Sequence, residues 1–269
     1  MTIKLVASDM DDTLLNSEHK ISETNKTAIK KAIAAGKIFL LATGRLYKGA
    51  VPYAQDLGLD VPMITYNGAL VKGSMSGKVY YEHKMKITTA QKVLDYCKQN
   101  GYYVQFYSGS DEILVEKITS YSVAYSKIIG TPIKAIGKDF YQAKEAPYKM
   151  LLVLEGDVFE QRWREFERDF AGLLDVTSSK TNFLELMEPG VNKWEAVKSV
   201  AASYGVKPEE ILCMGDSNND IPMIANAGVG VAVANAKDIV KKSAKYVTTR
   251  TNDDDAVAEV IAKVLEGSL

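Results

Sequence analysis

The sequence predicts an α/β protein in which a parallel-sheet core, formed by both ends of the chain, carries an inserted α+β domain. Short apolar strands alternate with helical segments before residue 67 and again after residue 192. Such alternation is typical of a parallel sheet with helices on both faces. Roughly a hundred residues between these stretches follow another pattern, and a connection of that length is expected to fold as a separate domain.

The composition excludes several classes of protein. The 269 residues are 46% hydrophobic and 25% charged, as in ordinary globular domains. A net charge of −1 argues against nucleic acid as the main partner. Only two histidines, His19 and His83, are present, which argues against a histidine-based metal or catalytic site.

The chain is expected to work in the reducing cytoplasm. Its two cysteines, Cys97 and Cys213, cannot form a disulfide framework. The N-terminus opens directly into a strand-like run without the apolar core of a signal peptide. No apolar run is nearly as long as the roughly 18 residues that a membrane helix needs, so no membrane contact is expected.

The first core segment has a β-α-β-α-β pattern. Residues 3–8 are apolar and rich in β-branched side chains, which predicts a buried strand ending at Asp9. Ser22 is the predicted N-cap of a helix that ends at Gly36, because glycine accepts the left-handed conformation at a helix end. The other predicted elements are a strand at 37–42, a helix over 46–57, a strand at 63–66, and a hairpin of 69–72 with 78–82.

The insert and the second core segment complete the predicted organisation. In the insert we expect helices over 88–100, 120–129 and 158–171 and strands at 102–107, 112–116, 149–155 and 182–187. After residue 192 we expect a helix ending at Gly205, a strand at 209–216, a helix from Asn219, a strand at 229–235, a helix over 237–243 and a terminal helix from Asp253. The predicted core is therefore 1–82 with 190–269, and the insert is 83–189.

Acidic side chains cluster where two of these strands end. Asp9, Asp11 and Asp12 follow the first strand, and Asp216 and Asp220 lie at and beyond the end of the strand at 209–216. Ligands of open parallel sheets bind at the carboxyl ends of the strands, so the two acidic loops are expected to meet at one edge. Crowded carboxylates repel one another unless a cation neutralises them, and hard oxygen ligands favour Mg²⁺.

Two further signals belong to the same edge. Thr43, Gly44 and Arg45 follow the strand at 37–42, and a hydroxyl with backbone amides can hold the oxygens of an anion. Lys193 precedes the helix that leads into the Asp216 strand. A threonine or a lysine alone is usually structural or solvated. Their order and their placement beside the two acidic loops make them candidate site residues.

These segments resemble the four signature motifs of the haloacid dehalogenase-like phosphatase superfamily, in the family's order. DMDDT at 9–13 is similar to its DxDxT motif, LATGR at 41–45 to its second, Lys193 to its third and GDSNND at 215–220 to its GDxxND motif. The large insert resembles the cap of the Cof-like branch. The resemblance, which covers nearly the whole chain, implies a Rossmann-like parallel-sheet core with an inserted α+β cap domain that selects the substrate. Trp194 and Ala256 stand where the family often has glycine.

The resemblance also implies roles for single residues. Asp9 would be the nucleophile that becomes an aspartyl phosphate, and Asp11 the general acid and base. Mg²⁺ would be held by the Asp9 carboxylate, the Asp11 backbone carbonyl and the Asp216 carboxylate. Asp220 would orient Lys193 or a metal-bound water. The phosphoryl oxygens would be bound by Thr43, the backbone amides of Met10 and Gly44, Lys193 and Asn219, with Arg45 and Asn67 as candidate substrate contacts.

The predicted function is Mg²⁺-dependent hydrolysis of small phosphate monoesters through an aspartyl phosphate. The partner is a small phosphorylated metabolite, and sugar phosphates are favoured by the resemblance alone. A phosphomutase or phosphotransferase, in which a second hydroxyl takes the phosphoryl group from Asp9, stays open as an alternative. So does a non-catalytic phosphate-sensing regulator, although such domains lack a large cap and an acid at the Asp11 position. The physiological substrate and the oligomeric state are not predicted.

Overall fold

The computed structural model describes residues 2–58 and 61–269, which pack into two compact units. The core unit contains the described residues of 1–44, 51–81 and 192–269. The cap unit contains 45–50 and 82–191. The sequence predicts domain boundaries after residues 82 and 189. It also predicts that residues 45–50 belong to the core, whereas the structure groups them with the cap unit.

The core unit is organised around an eight-stranded sheet with the order β14-β13-β12-β1-β2-β3-β4-β5. The strands β14, β13, β12, β1, β2 and β3 pair in parallel, and β3 pairs with β4 antiparallel. Strand β1 lies between β12 and β2. The strands are β1 (Leu5–Asp9), β2 (Ile38–Ala42), β3 (Pro62–Thr65), β4 (Leu70–Gly73), β5 (Val79–Glu82), β12 (Ile211–Gly215), β13 (Val229–Ala232) and β14 (Tyr246–Val247).

Helices surround this sheet and bury its apolar side chains. The Ser22 side chain caps the first helix by accepting a hydrogen bond from the Asn25 N–H, and Gly36 beyond its end has φ +79°. The sheet residues Leu40 and Cys213 pack with Val197 of α6. The helices are α1 (Glu23–Ala34), α2 (Tyr47–Asp56), α6 (Lys193–Ser203), α7 (Ile221–Asn226), α8 (Asp238–Ser243) and α9 (Ala256–Glu266), and the residues of α2 up to Ala50 fall in the cap unit.

The cap unit contains a six-stranded mixed sheet with the order β10-β11-β9-β6-β7-β8. Only β7 and β8 pair in parallel among its described strand pairs. Apolar residues of the sheet pack against α3 and α5. The elements are α3 (Ile87–Asn100), β6 (Val104–Tyr107), β7 (Ile113–Val115), α4 (Ser120–Ile129), β8 (Ile133–Ala135), β9 (Lys149–Val153), α5 (Phe159–Asp169), β10 (Asp175–Thr177) and β11 (Phe183–Met187).

The predicted α/β class with a parallel core is confirmed, but several elements differ. Strands β8, β10 and β14 are not predicted, since each has only two or three residues and no clear apolar alternation. The helix predicted from Asn219 is wrong at its start: a 3₁₀ turn covers Asn218–Asp220 before α7. The terminal helix predicted from Asp253 begins at Ala256, because Asp255 has φ 67°. No described helix combines the length and apolar character needed to cross a membrane.

Candidate active site

The sheet register brings three predicted site residues to neighbouring strand ends. Asp9 is the last residue of β1, Thr43 directly follows β2, and Asp216 directly follows β12. Strand β1 pairs with both neighbours, Asp9 lying opposite Ala42 and Ser8 opposite Met214. Because all three strands run in parallel, their carboxyl ends form one edge.

Three buried carboxylates lie together at this edge. Asp9, Asp216 and Asp220 each offer one oxygen, and these oxygens all lie within 4.8 Å of one another. The pKa of the Asp9 carboxyl lies well above its usual value, chiefly because the group is buried and secondly because of the negative charge of Asp220. The positive charge of Lys193 opposes this shift. Burial, followed by the charge of Asp220, raises the pKa of Asp216 to about 7. The cluster therefore carries more negative charge than its surroundings stabilise.

Lys193 supplies positive charge to the cluster. It is the first residue of α6 and is fully buried, and its Nζ donates hydrogen bonds to Asp9 Oδ1 at 2.5 Å and to Asp220 Oδ1 at 2.7 Å. Burial by itself lowers the pKa of Lys193, but the charges of Asp220 and Asp9 outweigh it and raise that pKa above its usual value. The lysine therefore stays protonated and links the end of β1 to the loop after β12.

Asp220 is held by the loop that contains it. Its Oδ2 accepts hydrogen bonds from the backbone N–H groups of Asp216 and Ser217, each at 3.0 Å, while Oδ1 accepts from Lys193. Both oxygens are thus engaged in fixing the loop and the lysine. Gly215 makes this arrangement possible, because a Cβ at that position would lie only 2.4 Å from the Asp220 Cγ.

Thr13 is a site residue for which the sequence predicts no role. Its Oγ1 donates a hydrogen bond to Asp216 Oδ1 at 3.0 Å, so the loop after β1 orients the carboxylate that follows β12. The threonine in DMDDT is itself the sequence signal that could have pointed to it. Spacing alone could not, because the contact joins residues that are 203 positions apart.

A left-handed turn after β3 ties several site elements together. Asn67 has φ 56° and Gly68 has φ 106°. The Asn67 N–H donates to the Thr43 carbonyl at 3.0 Å, and Asn67 Oδ1 accepts from Asn219 Nδ2 at 3.0 Å. A Cβ on Gly68 would lie 2.3 Å from the carbonyl oxygen of Asn192, the N-cap of α6. The turn therefore sets the positions of Thr43, Asn219 and the start of α6.

The Asn219 side chain is buried, and its Oδ1 has no hydrogen-bond partner among the described residues. Buried polar atoms in native proteins are nearly always hydrogen bonded. A ligand group bound near the end of β12 would therefore complete the hydrogen bonding of the Asn219 side chain.

The remaining predicted residues lie in different surroundings. Met10 is fully buried, Gly44 and Asp11 are half-buried, and the charge of Asp11 contributes to the raised pKa of Asp9. Arg45 belongs to the cap unit, where its Nη1 donates to the Gly49 carbonyl at 3.5 Å. Trp194 and Ala256, the two departures from the family pattern, both pack in the apolar core of the core unit.

Comparison with known proteins agrees with this fold. Residues 6–261 match the family of haloacid dehalogenase-like hydrolases. The chain is 32% identical to the 5-amino-6-(5-phospho-D-ribitylamino)uracil phosphatase YcsE of Bacillus subtilis, over 96% of this chain and 94% of that protein. It is 27% identical to the phosphatase YwpJ of the same organism, over 98% of this chain and 100% of that protein.

Solved structures show the same architecture. A haloacid dehalogenase-like hydrolase from Bacteroides thetaiotaomicron superposes with a TM-score of 0.84 at 30% identity, covering 98% of this chain and 100% of that one. One from B. subtilis superposes with a TM-score of 0.88 at 26% identity, covering 97% and 99%. Fold and site thus define a haloacid dehalogenase-like hydrolase, and the chain belongs to that family. Within it, the chain is a phosphatase of the Cof-like branch, which confirms the family and enzyme class predicted from the sequence.

Proposed function

We propose that the protein hydrolyses small phosphate monoesters through an aspartyl phosphate on Asp9, with Mg²⁺ as cofactor. The observation that carries the proposal is the buried Lys193 ammonium, which lies 2.5 Å from Asp9 Oδ1 among three crowded carboxylates. A carboxylate at a strand end, held by a cation and beside donors for an anion, suits attack on a phosphoryl group.

The chemistry assigned to the chain has two steps. The Asp9 carboxylate attacks phosphorus, the bond from phosphorus to the ester oxygen breaks, and Asp11 gives its proton to the leaving alkoxide. Asp11 then takes a proton from water, which attacks phosphorus and releases inorganic phosphate and the Asp9 carboxylate. An alkoxide leaves poorly without a proton, so an acid two residues after the nucleophile suits an alkyl ester.

The phosphoryl oxygens need hydrogen-bond donors around the phosphorus atom. Lys193, Thr43 and the Asn219 amide are the proposed side-chain donors, together with the backbone amides of Met10 and Gly44. The Asn219 nitrogen would face a phosphoryl oxygen if the amides of Asn219 and Asn67 turned together, which would keep the hydrogen bond between them with its direction reversed. The unpartnered Oδ1 supports a ligand at this position.

The residues at the edge fit a magnesium ion. Asp9 and Asp216 would supply carboxylate oxygens and Asp11 its backbone carbonyl, which are the hard ligands that Mg²⁺ prefers. Burial raises the pKa of both carboxyls, and a cation between them would offset their charge. When bound, the ion would reduce the repulsion between the anionic nucleophile and the phosphate dianion. Asp220 is assigned to Lys193 instead, because its two oxygens already accept three hydrogen bonds.

The proposed substrates are sugar or sugar-alcohol phosphates of the cytoplasm. The relative YcsE is named for a substrate phosphorylated on a ribityl group, which supports this class. We assign selection of the organic part to the cap unit, since the core residues described above account for the phosphoryl group and the metal.

The test is a turnover assay with 4-nitrophenyl phosphate and a panel of sugar and sugar-alcohol phosphates in Mg²⁺. We expect inorganic phosphate to be released from single substrates without a bisphosphate activator. Transfer to a second hydroxyl with no free phosphate would favour the phosphotransferase alternative. No turnover of any substrate, with stable binding of inorganic phosphate, would favour a regulator.

Asp11→Asn is expected to affect alkyl esters more than aryl esters. Loss of the acid should lower kcat on a sugar phosphate at least about 100-fold. The loss on 4-nitrophenyl phosphate should be smaller, because a phenolate leaves with little help from a proton. The measurement is kcat on both substrates under saturating Mg²⁺. Equal losses would mean that Asp11 acts mainly on metal binding.

Gly215→Ala is expected to reduce activity although it adds only one methyl group. The new Cβ would lie within 2.6 Å of three Asp220 atoms, so Asp220 must move and Lys193 with it. A displacement of about 1 Å in a catalytic group can cost about 100-fold in rate, and we expect a loss of that order in kcat/KM. Gly156→Ala is the matched control, because a Cβ there meets no atom within 4 Å. Normal activity in Gly215→Ala would show that the contact between Asp220 and Lys193 is dispensable.

A further inference from the structure

The cap unit has a cavity at one end of its sheet, where β6 begins and β7 ends. The two strands pair antiparallel, so the start of β6 lies beside the end of β7. The cavity has a volume of about 450 Å³, which is in the range of binding sites for small organic molecules. Its lining residues fall within 98–104, 116–121 and 140–141, all in the cap unit. No described residue that is assigned above to the phosphoryl group or the metal lines it.

Aromatic rings form much of the wall of this cavity. Phe140 is buried, whereas Tyr102, Tyr103, Tyr121 and Tyr141 are only half-buried. The ring centroids of Tyr103 and Tyr121 lie 5.6 Å apart, and those of Phe140 and Tyr141 lie 5.4 Å apart. A cluster of partly exposed aromatic side chains leaves apolar surface in contact with water, and such surface marks binding sites. The cavity therefore offers ring surfaces to a planar apolar group.

Three of the four tyrosine hydroxyls already have hydrogen-bond partners. The Tyr121 hydroxyl donates to Glu155 Oε1 at 2.9 Å, and the Tyr141 hydroxyl donates to Glu116 Oε2 at 3.2 Å. The Tyr103 hydroxyl accepts a hydrogen bond from a side-chain amide at 3.2 Å. Burial, followed by the charge of Glu116, raises the pKa of Tyr141 to about 12, so this phenol stays protonated and neutral at pH 7. A ligand is therefore expected to contact the rings rather than the hydroxyls.

The charged side chains that line the cavity favour an anion. Lys98 and Lys117 line it together with a single acid among the described residues, Glu116. The Glu116 carboxylate already accepts the hydrogen bond from Tyr141. Lys98 Nζ lies 5.1 Å from the centroid of the Tyr141 ring, so this ammonium is located at the aromatic wall. Both lysine side chains are exposed and can turn toward a bound group, and ammonium groups form their strongest hydrogen bonds with anionic oxygens.

We propose that this cavity binds a planar aromatic group that carries an anionic substituent, such as a nucleoside 5′-monophosphate. The base stacks on the tyrosine rings, as bases do on aromatic side chains of other proteins. The phosphate oxygens accept hydrogen bonds from Lys98 and Lys117. The inference does not depend on the proposed function, because the site uses cap residues alone and none of the residues assigned to catalysis.

The test is isothermal titration calorimetry of the wild-type protein with 5′-AMP, adenosine and inorganic phosphate. AMP carries both the ring and the charge, whereas adenosine carries only the ring and phosphate only the charge. The titrations are made in excess chelator, and recovery of intact AMP is checked by chromatography. We expect AMP to bind at one site per chain with a Kd below about 1 mM. Excess inorganic phosphate, which would occupy a phosphoryl site, should leave this Kd unchanged.

Two kinds of variant separate the ring from the charge. Tyr121→Ala removes a ring and should weaken binding of AMP and adenosine alike, by at least about fivefold. The double variant Lys98→Met with Lys117→Met should weaken AMP at least about tenfold but leave adenosine within about twofold of the wild type. Lys134→Met is the control, since Lys134 is a cap lysine that is 59% exposed and does not line the cavity. The thermal unfolding midpoint of each variant shows that it is folded.

Three results would overturn the inference. One is the absence of saturable AMP binding to the wild type. Another is AMP binding that inorganic phosphate abolishes, which would place the nucleotide at the phosphoryl site instead. The third is a folded double lysine variant that binds AMP as tightly as the wild type does. A wild type that hydrolyses no phosphate monoester would refute the proposed function, but it would leave these binding results as they are.

Discussion

Asp9→Asn is expected to abolish turnover on every phosphate monoester, by at least about 10⁴-fold in kcat, because a carboxamide cannot replace the attacking carboxylate. The folded structure should survive. The Asn oxygen can still accept the hydrogen bond from Lys193, and Lys193 keeps its second bond to Asp220 at 2.7 Å. The substitution also removes one of three crowded negative charges. We therefore expect an unfolding midpoint, measured in chelator, that is no lower than that of the wild type.

Asp12→Asn is the matched control for this prediction. Asp12 lies in the same loop and carries the same charge, but it has no assigned catalytic role. Its φ of 58° is one that asparagine tolerates well. We expect its activity to stay within about tenfold of the wild type, since the substitution changes charge without strain. Activity of Asp9→Asn at the level of Asp12→Asn would exclude covalent catalysis through Asp9.

The sequence could predict which residues meet at the sheet edge because alternation and chain order determine the strand ends. Asp9, Thr43 and Asp216 each stand at or directly after an apolar strand, and the carboxyl ends of parallel strands share one edge. The order β12-β1-β2 does not follow from the apolar pattern of the sequence. Nor does the register, which is the pairing of individual residues between these strands. It is that register which brings the three side chains together.

The contacts that support the site residues could not be predicted from the sequence, for a different reason. Thr13 and the turn at Asn67 act through contacts between segments far apart in the chain. Gly215 acts through a close approach to Asp220 in the loop that directly follows it. A glycine beside an aspartate is also ordinary in a loop, so its residue type alone does not reveal that a Cβ would meet Asp220. The buried ion pair of Lys149 with Glu185 is similar, since both residues stand in strands whose other residues are apolar and their pairing needs β9 and β11 to be neighbours in the cap sheet.

Removing divalent metal is the second change for which we expect a near-complete loss of activity. Excess chelator should lower kcat/KM at least about 100-fold, and Mg²⁺ should restore it. Ca²⁺ should not, because it takes more ligands at longer distances and would misplace the oxygens of Asp9 and the phosphate. Full activity in excess chelator would remove the metal from the proposed function.

Asp216→Asn separates metal binding from loop structure. The Asn oxygen can still accept the hydrogen bond from Thr13, so the loop geometry should persist while the ligand loses its charge. We expect the Mg²⁺ concentration for half-maximal activity to rise at least about tenfold and kcat to fall as well, since charge-assisted contacts are stronger than neutral ones. Asp238→Asn, at an exposed aspartate in α8, should leave both unchanged. An Asp216→Asn enzyme with wild-type Mg²⁺ dependence would show that the ion is held elsewhere, and the carboxylate cluster would then need Lys193 alone to balance its charge.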